Sequence, residues 1–108
     1  MVNYTKALSM LSIAAKAGKV ASGGFMVEGA IQKGTAYLVL IAEDASGNTR
    51  KKFIDKCTYY NVPYRICANG ESLGRSIGKQ DRKVVAVTNE GLADSVLTKL
   101  DISKDLEV

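Results

Sequence analysis

No histidine occurs anywhere in this 108-residue chain. That removes Ser–His and Cys–His nucleophile pairs from a single chain. Only two cysteines, Cys57 and Cys67, remain for soft metal ligation. A four-ligand zinc site of cysteine and histidine therefore cannot be assembled. The phosphate loop is missing as well. Gly24 and Gly29 have its spacing, but Ala30 and Ile31 occupy the places of its Lys and Ser/Thr. There is no Gly-x-Gly-x-x-Gly. Glu43 and Asp44 are neighbours at a predicted strand end, where successive side chains point apart, so they form no acid–base pair. The reading is a protein with no catalytic residue, no metal site and no cofactor. No apolar run approaches membrane-spanning length. No charged, apolar and cleavage regions follow one another at the N-terminus as in a signal peptide, so the expectation is a cytoplasmic protein with no membrane partner. Repeats, linkers and low-complexity stretches are also lacking.

What is present supports one domain. The chain is 46% hydrophobic, enough for a core, and its 24% charged residues are ordinary for a folded soluble domain. Tyr4, Ala7, Leu8, Leu11, Ala14 and Ala15 recur at helical spacing, which predicts a helix over residues 3–17 stopped by Gly18. A short extended piece follows at residues 19–21. Ser22 or Gly23 then caps a second helix with Val27, Ala30 and Ile31 inward, ended by Gly34. The run YLVLIA at residues 37–42 reads as a central strand buried on both faces. A helix over residues 49–60 puts Phe53, Ile54 and Cys57 inward. Pro63 begins a strand reaching Cys67, and residues 72–76 form a short helix. KVVAVT, residues 83–88, is a second buried strand. Asn89 caps a last helix with Leu92, Ala93, Val96, Leu97 and Leu100 inward. Both cysteines read as small buried hydrophobes. Strands alternating with helices make the fold class α/β, layered helix, sheet, helix. The expected domain covers residues 1–100, with residues 101–108 a loose acidic tail.

Charge is unevenly spread. The net charge is +4, with a pI of about 9.1, which favours an acidic partner. Residues 50–83 hold nine Lys/Arg against three Asp/Glu, and residues 84–108 hold two against five. For Lys51, Lys52 and Lys56 two readings stand side by side, a solvated helix face and a nucleic-acid contact.

The segments KAGKVASG, GAIQKGTAYLVLIAEDAS, KCTYYNVPY and LGRSIGK, in that order, resemble the kink-turn RNA-binding ribosomal protein superfamily. This is the group of the archaeal large-subunit protein seven-Ae and the eukaryotic thirty-e. EDAS-NT-KK and DKC-YYNVP are similar to its bacterial YlxQ-like branch. The likeness spans roughly residues 5–100 and rests on the ordered set rather than on any single motif. It implies a three-layer α/β/α sandwich with a small mixed sheet. It also implies a non-catalytic protein that binds structured RNA, a kink-turn or similar bend, with ribosomal RNA a candidate. A protein-binding adaptor on the same fold, with a ribosomal or other protein partner, is the rival reading.

The resemblance places the RNA grip at the start of the second helix and in the loop before the last strand. Here those are Ser22, Gly23, Gly24, Phe25 and Glu28, then Leu73, Gly74, Arg75, Ser76, Ile77 and Lys79, with Lys19 just ahead of the glycines. Backbone N–H groups at a helix start favour phosphate, and glycine permits close approach. The family's helix start is Gly-x-Asn-Glu-x-x-Lys. Gly23 matches its glycine, but Phe25 stands for Asn, Met26 for Glu and Gly29 for Lys. Packing against neighbouring chain is the structural reading of Phe25 and Met26. With those base-reading residues replaced, more of the grip is expected from the loop. There Arg75 would fork onto phosphate or stack on a base, Lys79 would act as a point charge, and Ile77 would cover a flipped base or enter the core. Glu43 and Asp44 are expected to hold a neighbouring loop by hydrogen bonds.

Overall fold

A computed structural model describes the backbone of residues 3–106 and the side-chain surroundings of residues 3–102. The order is α1 (Thr5–Lys16), β1 (Val20–Ser22), α2 (Gly24–Lys33), β2 (Leu38–Ile41), α3 (Gly47–Tyr60), β3 (Tyr64–Ile66), α4 (Gly70–Ser76), β4 (Val84–Val87) and α5 (Glu90–Leu106). The sheet runs β1-β4-β2-β3. β4 is antiparallel to both β1 and β2, whereas β2 and β3 are parallel, joined through α3. The sheet is therefore mixed, as expected.

The two central strands are buried at every position. Side chains alternate across a strand, so each strand feeds two cores. Leu38 and Leu40, with Val85 and Val87, pack against Ala7, Leu11 and Ala14 of α1, Leu73 of α4, and Ala93, Val96 and Leu100 of α5. Val39 and Ile41, with Val84 and Ala86, pack against Val27, Ala30 and Ile31 of α2, and Phe53 and Cys57 of α3. This is the three-layer α/β/α sandwich. Both cysteines are free and buried. Burial pushes the Cys57 thiol up to about 11 and, with Glu43 nearby, the Cys67 thiol up to about 12. They stay protonated and act as apolar filler.

Local chemistry explains most element ends. Ser46 Oγ accepts from the Thr49 N–H at 3.1 Å and starts α3 two residues earlier than the sequence predicts. Asn89 Oδ1 accepts from the Leu92 N–H at 2.9 Å and starts α5 as expected. Asn69 Oδ1 accepts from the Ser72 N–H at 2.8 Å, so α4 begins at Gly70 and not at Ser72. One expectation is corrected at the C-terminus. α5 continues through Leu106, so residues 101–106 are helical and not a loose tail; residues 107–108 lie outside the described chain. Arg65 of β3 ties that helix down, donating from Nε to Asp101 Oδ1 at 3.1 Å.

Candidate nucleic-acid interface

β1 delivers the chain straight into α2. Ser22 pairs with Val85, and the Gly23 N–H donates to the Val84 carbonyl at 3.0 Å. That last rung fixes the start of α2 against the start of β4. Gly23 has φ 86 and ψ 158, a conformation that only glycine adopts without strain. Gly24 is different. Its φ is ordinary, and a Cβ there would meet only the tip of Phe53 at 3.9 Å.

The first turn of α2 has neither a side-chain cap nor an acidic residue. α3 and α4 each have a side-chain cap, α5 takes one from Asn89, and α4 and α5 also carry an acidic residue in the first turn. The positive end of the α2 dipole is thus left unneutralised by its own first turn. It opens on a cleft of about 510 Å3 whose other walls are Thr49, Lys52 and Phe53 of α3 and Asp81, Arg82 and Lys83 ahead of β4. Arg82 reaches Ser22, its Nε donating to Ser22 Oγ at 3.3 Å, and its Nη1 donates to the Asp81 carbonyl at 3.0 Å. No carboxylate pairs with Arg82 among the described residues. Lys83 is engaged instead, with Asp44 Oδ2 at 2.9 Å and Asp81 Oδ1 at 3.1 Å.

Asp44 does what the sequence reading asked of it. Its other oxygen accepts from the Gly70 N–H at 2.9 Å, holding the start of α4. The Lys83 ammonium, then the Gly70 N–H, hold its carboxyl below the usual carboxylate value. Glu43 accepts from the Tyr4 hydroxyl at 3.1 Å. Burial and that carboxylate push the Tyr4 phenol up to about 12.

The remaining predicted residues divide. Phe25 is 89% exposed and Met26 57% exposed, so neither packs against neighbouring chain. They form an apolar projection on the first turn of α2. Glu28 is committed to Lys52, 2.8 Å away, and that ammonium lowers its carboxyl's pKa. Lys19 is exposed but sits at the other end of β1, roughly 13 Å of extended chain from Gly23.

The stretch 73–79 is part helix and part turn, in keeping with the short helix read over residues 72–76. Residues up to Ser76 belong to α4. Leu73 is wholly buried in the core, Gly74 is buried, and Ile77 is half-buried against the same core. Burying one leucine stabilises by about 1.5–3 kcal/mol, which decides which way Leu73 faces. Ser76 donates to the Leu73 carbonyl at 2.8 Å. Arg75 is exposed and paired with Glu71 one turn back. Arg75 lines a separate groove between α1 and α4, and Lys79 is exposed in the turn that follows. Neither lines the cleft at α2. Sequence reasoning missed Arg82 and the Lys52–Glu28 pair. The signal for Arg82 was the dense QDRK charge cluster just ahead of a buried strand.

A family model matches residues 5–97. The chain belongs to the ribosomal protein L7Ae/L30e/S12e/Gadd45 family. Within that family it is 50% identical over 92 residues to the RNA-binding protein YlxQ of Bacillus subtilis strain 168, covering 85% of this chain and 92% of the relative. It is 36% identical over 91 residues to the RNA-binding protein YlxQ of Enterococcus faecium, covering 84% of this chain and 87% of the relative. The YlxQ-like branch read from the sequence is therefore right. Among solved structures, a protein of unknown function from Bacillus halodurans C superposes with a TM-score of 0.86 at 38% identity, over 89% of this chain and 97% of that one. The Giardia lamblia 15.5kD RNA binding protein superposes with a TM-score of 0.78 at 21% identity, over 94% and 88%, a likeness of fold alone. Among the described residues no helix is long and apolar enough to cross a membrane, and no three His, Cys, Asp or Glu side chains converge as a metal-holding group.

Proposed function

We propose that this chain is a non-catalytic binder of structured RNA, with a kink-turn or similarly bent segment as its preferred form and ribosomal RNA as the first candidate. One observation supports this most directly. The uncapped, acid-free start of α2 faces Arg82 across an open cleft. The names of the YlxQ relatives and the family membership agree with it.

The chemistry is that of a phosphate seat. N–H groups of the first turn, the helix dipole and one unpaired guanidinium converge on the same space. Arg82 can fork two N–H groups onto one phosphate, which an ammonium cannot do. Gly24 leaves room for a backbone to approach. Phe25, largely exposed, offers a flat apolar face to an unstacked base. A bent RNA presents splayed bases and crowded phosphates together, whereas a straight duplex hides its bases.

A gel shift decides the matter. A kink-turn RNA should bind more tightly than a straight duplex of equal length, and binding should weaken as salt rises. Equal affinity for the two RNAs reduces the protein to a generic polycation binder. No shift at low salt overturns the reading.

A further inference from the structure

At the far end of α2 from the basic cleft lies a second concavity, of about 440 Å3. Three helices terminate around it. α2 ends with Gly34 and α3 with Asn61, both in the left-handed conformation, and α5 begins at Glu90. Tyr37 and Tyr60 line it and are each 41% exposed. The Tyr37 N–H donates to the Val87 carbonyl at 2.9 Å, so the main chain that carries this ring is anchored to the sheet. Tyr59, 78% exposed, meets Tyr60 edge-on with ring centroids 4.9 Å apart. Glu90 and Asp94, one turn apart on α5, supply two carboxylates against the single ammonium of Lys33. Neither carboxylate has an ion-pair partner among the described residues.

Negative charge predominates here, although Lys33 and the N-terminus of α5 beside Glu90 offset part of it. Like charges at i and i+4 repel by about 0.2–0.5 kcal/mol, a cost that a bound cation removes. Helix C-termini carry partial negative charge, and two of them end here. Tyrosine faces attract cations through the ring quadrupole. Arginine fits better than lysine, because its planar, weakly hydrated guanidinium both stacks on rings and forks onto carboxylates. Nucleic acid fits poorly, since its phosphates would face two carboxylates. We propose that this pocket docks an arginine-bearing segment of a protein partner. The inference goes beyond RNA binding. α2 is 10 residues long, roughly 15 Å, so the two sites sit at opposite ends of one helix. The domain then joins an RNA at one end to a basic protein segment at the other.

The test is an NMR titration of the ¹⁵N-labelled full chain. The probe is the capped peptide Gly-Arg-Gly-Gly-Arg-Gly, and the comparison is the same peptide with citrulline for arginine. The arginine peptide should shift the amides of Tyr37, Tyr60, Glu90 and Asp94, and the citrulline peptide should bind at least about tenfold more weakly, the equivalent of 1.4 kcal/mol. Asp94→Asn, placed beyond the first turn so that the start of α5 is kept, should weaken the arginine peptide about tenfold. Arg82→Ala should leave peptide binding unchanged. Four results overturn the proposal. The citrulline peptide binds as well; the shifts scatter over the acidic surface; Asp94→Asn and Glu90→Gln both bind as wild type; or the same amides respond to protein concentration or to oligouridine rather than to the peptide.

Discussion

Gly74 of α4 lies against the backbone of Gln80 so closely that a Cβ on it would stand 1.5 Å from the Gln80 carbonyl oxygen. The turn that carries the chain from α4 to β4 folds back over that bare glycine. The Lys79 N–H closes it by donating to the Gly74 carbonyl at 2.8 Å. Gly74→Ala should therefore destabilise the protein by about 3 kcal/mol, the upper end of ordinary overpacking, because backbone and not a pliable side chain blocks the way. Gly29 in α2 is the control. A Cβ there meets nothing within 4 Å, so Gly29→Ala should stabilise by about 0.5–1 kcal/mol. Thermal denaturation of the two variants checks both signs. Equal melting temperatures would show that the turn relaxes away from Gly74.

Arg82→Ala should cost on the order of 1–3 kcal/mol of kink-turn binding, while Arg75→Ala, whose charge is already matched by Glu71, should cost less. Lys79→Ala should lower the salt slope by about one unit if its ammonium neutralises one phosphate. Lys6→Ala, exposed on α1 across the sheet, serves as the blank. Binding isotherms at several salt concentrations separate these outcomes. If Arg82→Ala matches Lys6→Ala, the cleft is not the RNA seat.

The two glycines ahead of α2 should part company. Gly23→Ala forces a side chain into a φ of 86 and should cost roughly 1–3 kcal/mol of stability. Gly24→Ala meets only the Phe53 ring at 3.9 Å and should leave the melting temperature nearly unchanged while weakening RNA binding. Wild-type binding by Gly24→Ala would mean that the RNA backbone does not approach there.

Asp44 gives the fold a defined pH response. Its carboxyl titrates below the ordinary 3.8 because Lys83 and the Gly70 N–H favour the anion. The stabilisation is fully present above 3.8 and is lost as pH falls through the depressed folded-state value. Lys83 is raised above its ordinary 10.5 by Asp44 and Asp81, so its contribution lasts up to that pH and disappears above it. Asp44→Asn keeps an oxygen for the Gly70 N–H and removes only the charge. The gap in urea midpoint between wild type and Asp44→Asn should be constant from about pH 5 to 9 and should close below pH 3.8. No gap at any pH would mean that Asp44 acts through its hydrogen bond alone, and a gap that persists at low pH would mean that its charge is not the source.

The strands and cores were legible because their signal is local. LVLI and VVAV are apolar without interruption, and only a strand flanked on both faces tolerates that. Asp44 was legible as a loop holder because a carboxylate beside a predicted RNA surface has little else to do. α4 was harder. A seven-residue helix shows too little periodicity to reveal which residues face inward, so Leu73 was placed at the RNA surface and Ile77 was left open between surface and core. The packing reading of Phe25 and Met26 failed for a different reason. Apolar identity does not say whether a first-turn side chain points at the core or away from it. At the C-terminus, acidic composition read as a tail, yet helix propensity and the Arg65–Asp101 contact carry α5 onward. Arg82 was hidden because its partner, Ser22, lies 60 residues earlier.

The order β1-β4-β2-β3 leaves β1 and β3 at the margins, and each is only three residues long. A free margin invites another chain to add a strand, the first step toward aggregates. Three residues offer such an intruder too few rungs for a lasting hold. The wholly apolar strands that would be dangerous if bared, β2 and β4, are the two that the order encloses. A domain that exposes Phe25, Met26, Tyr37, Tyr59 and Tyr60 thus keeps its most adhesive backbone out of reach of other chains.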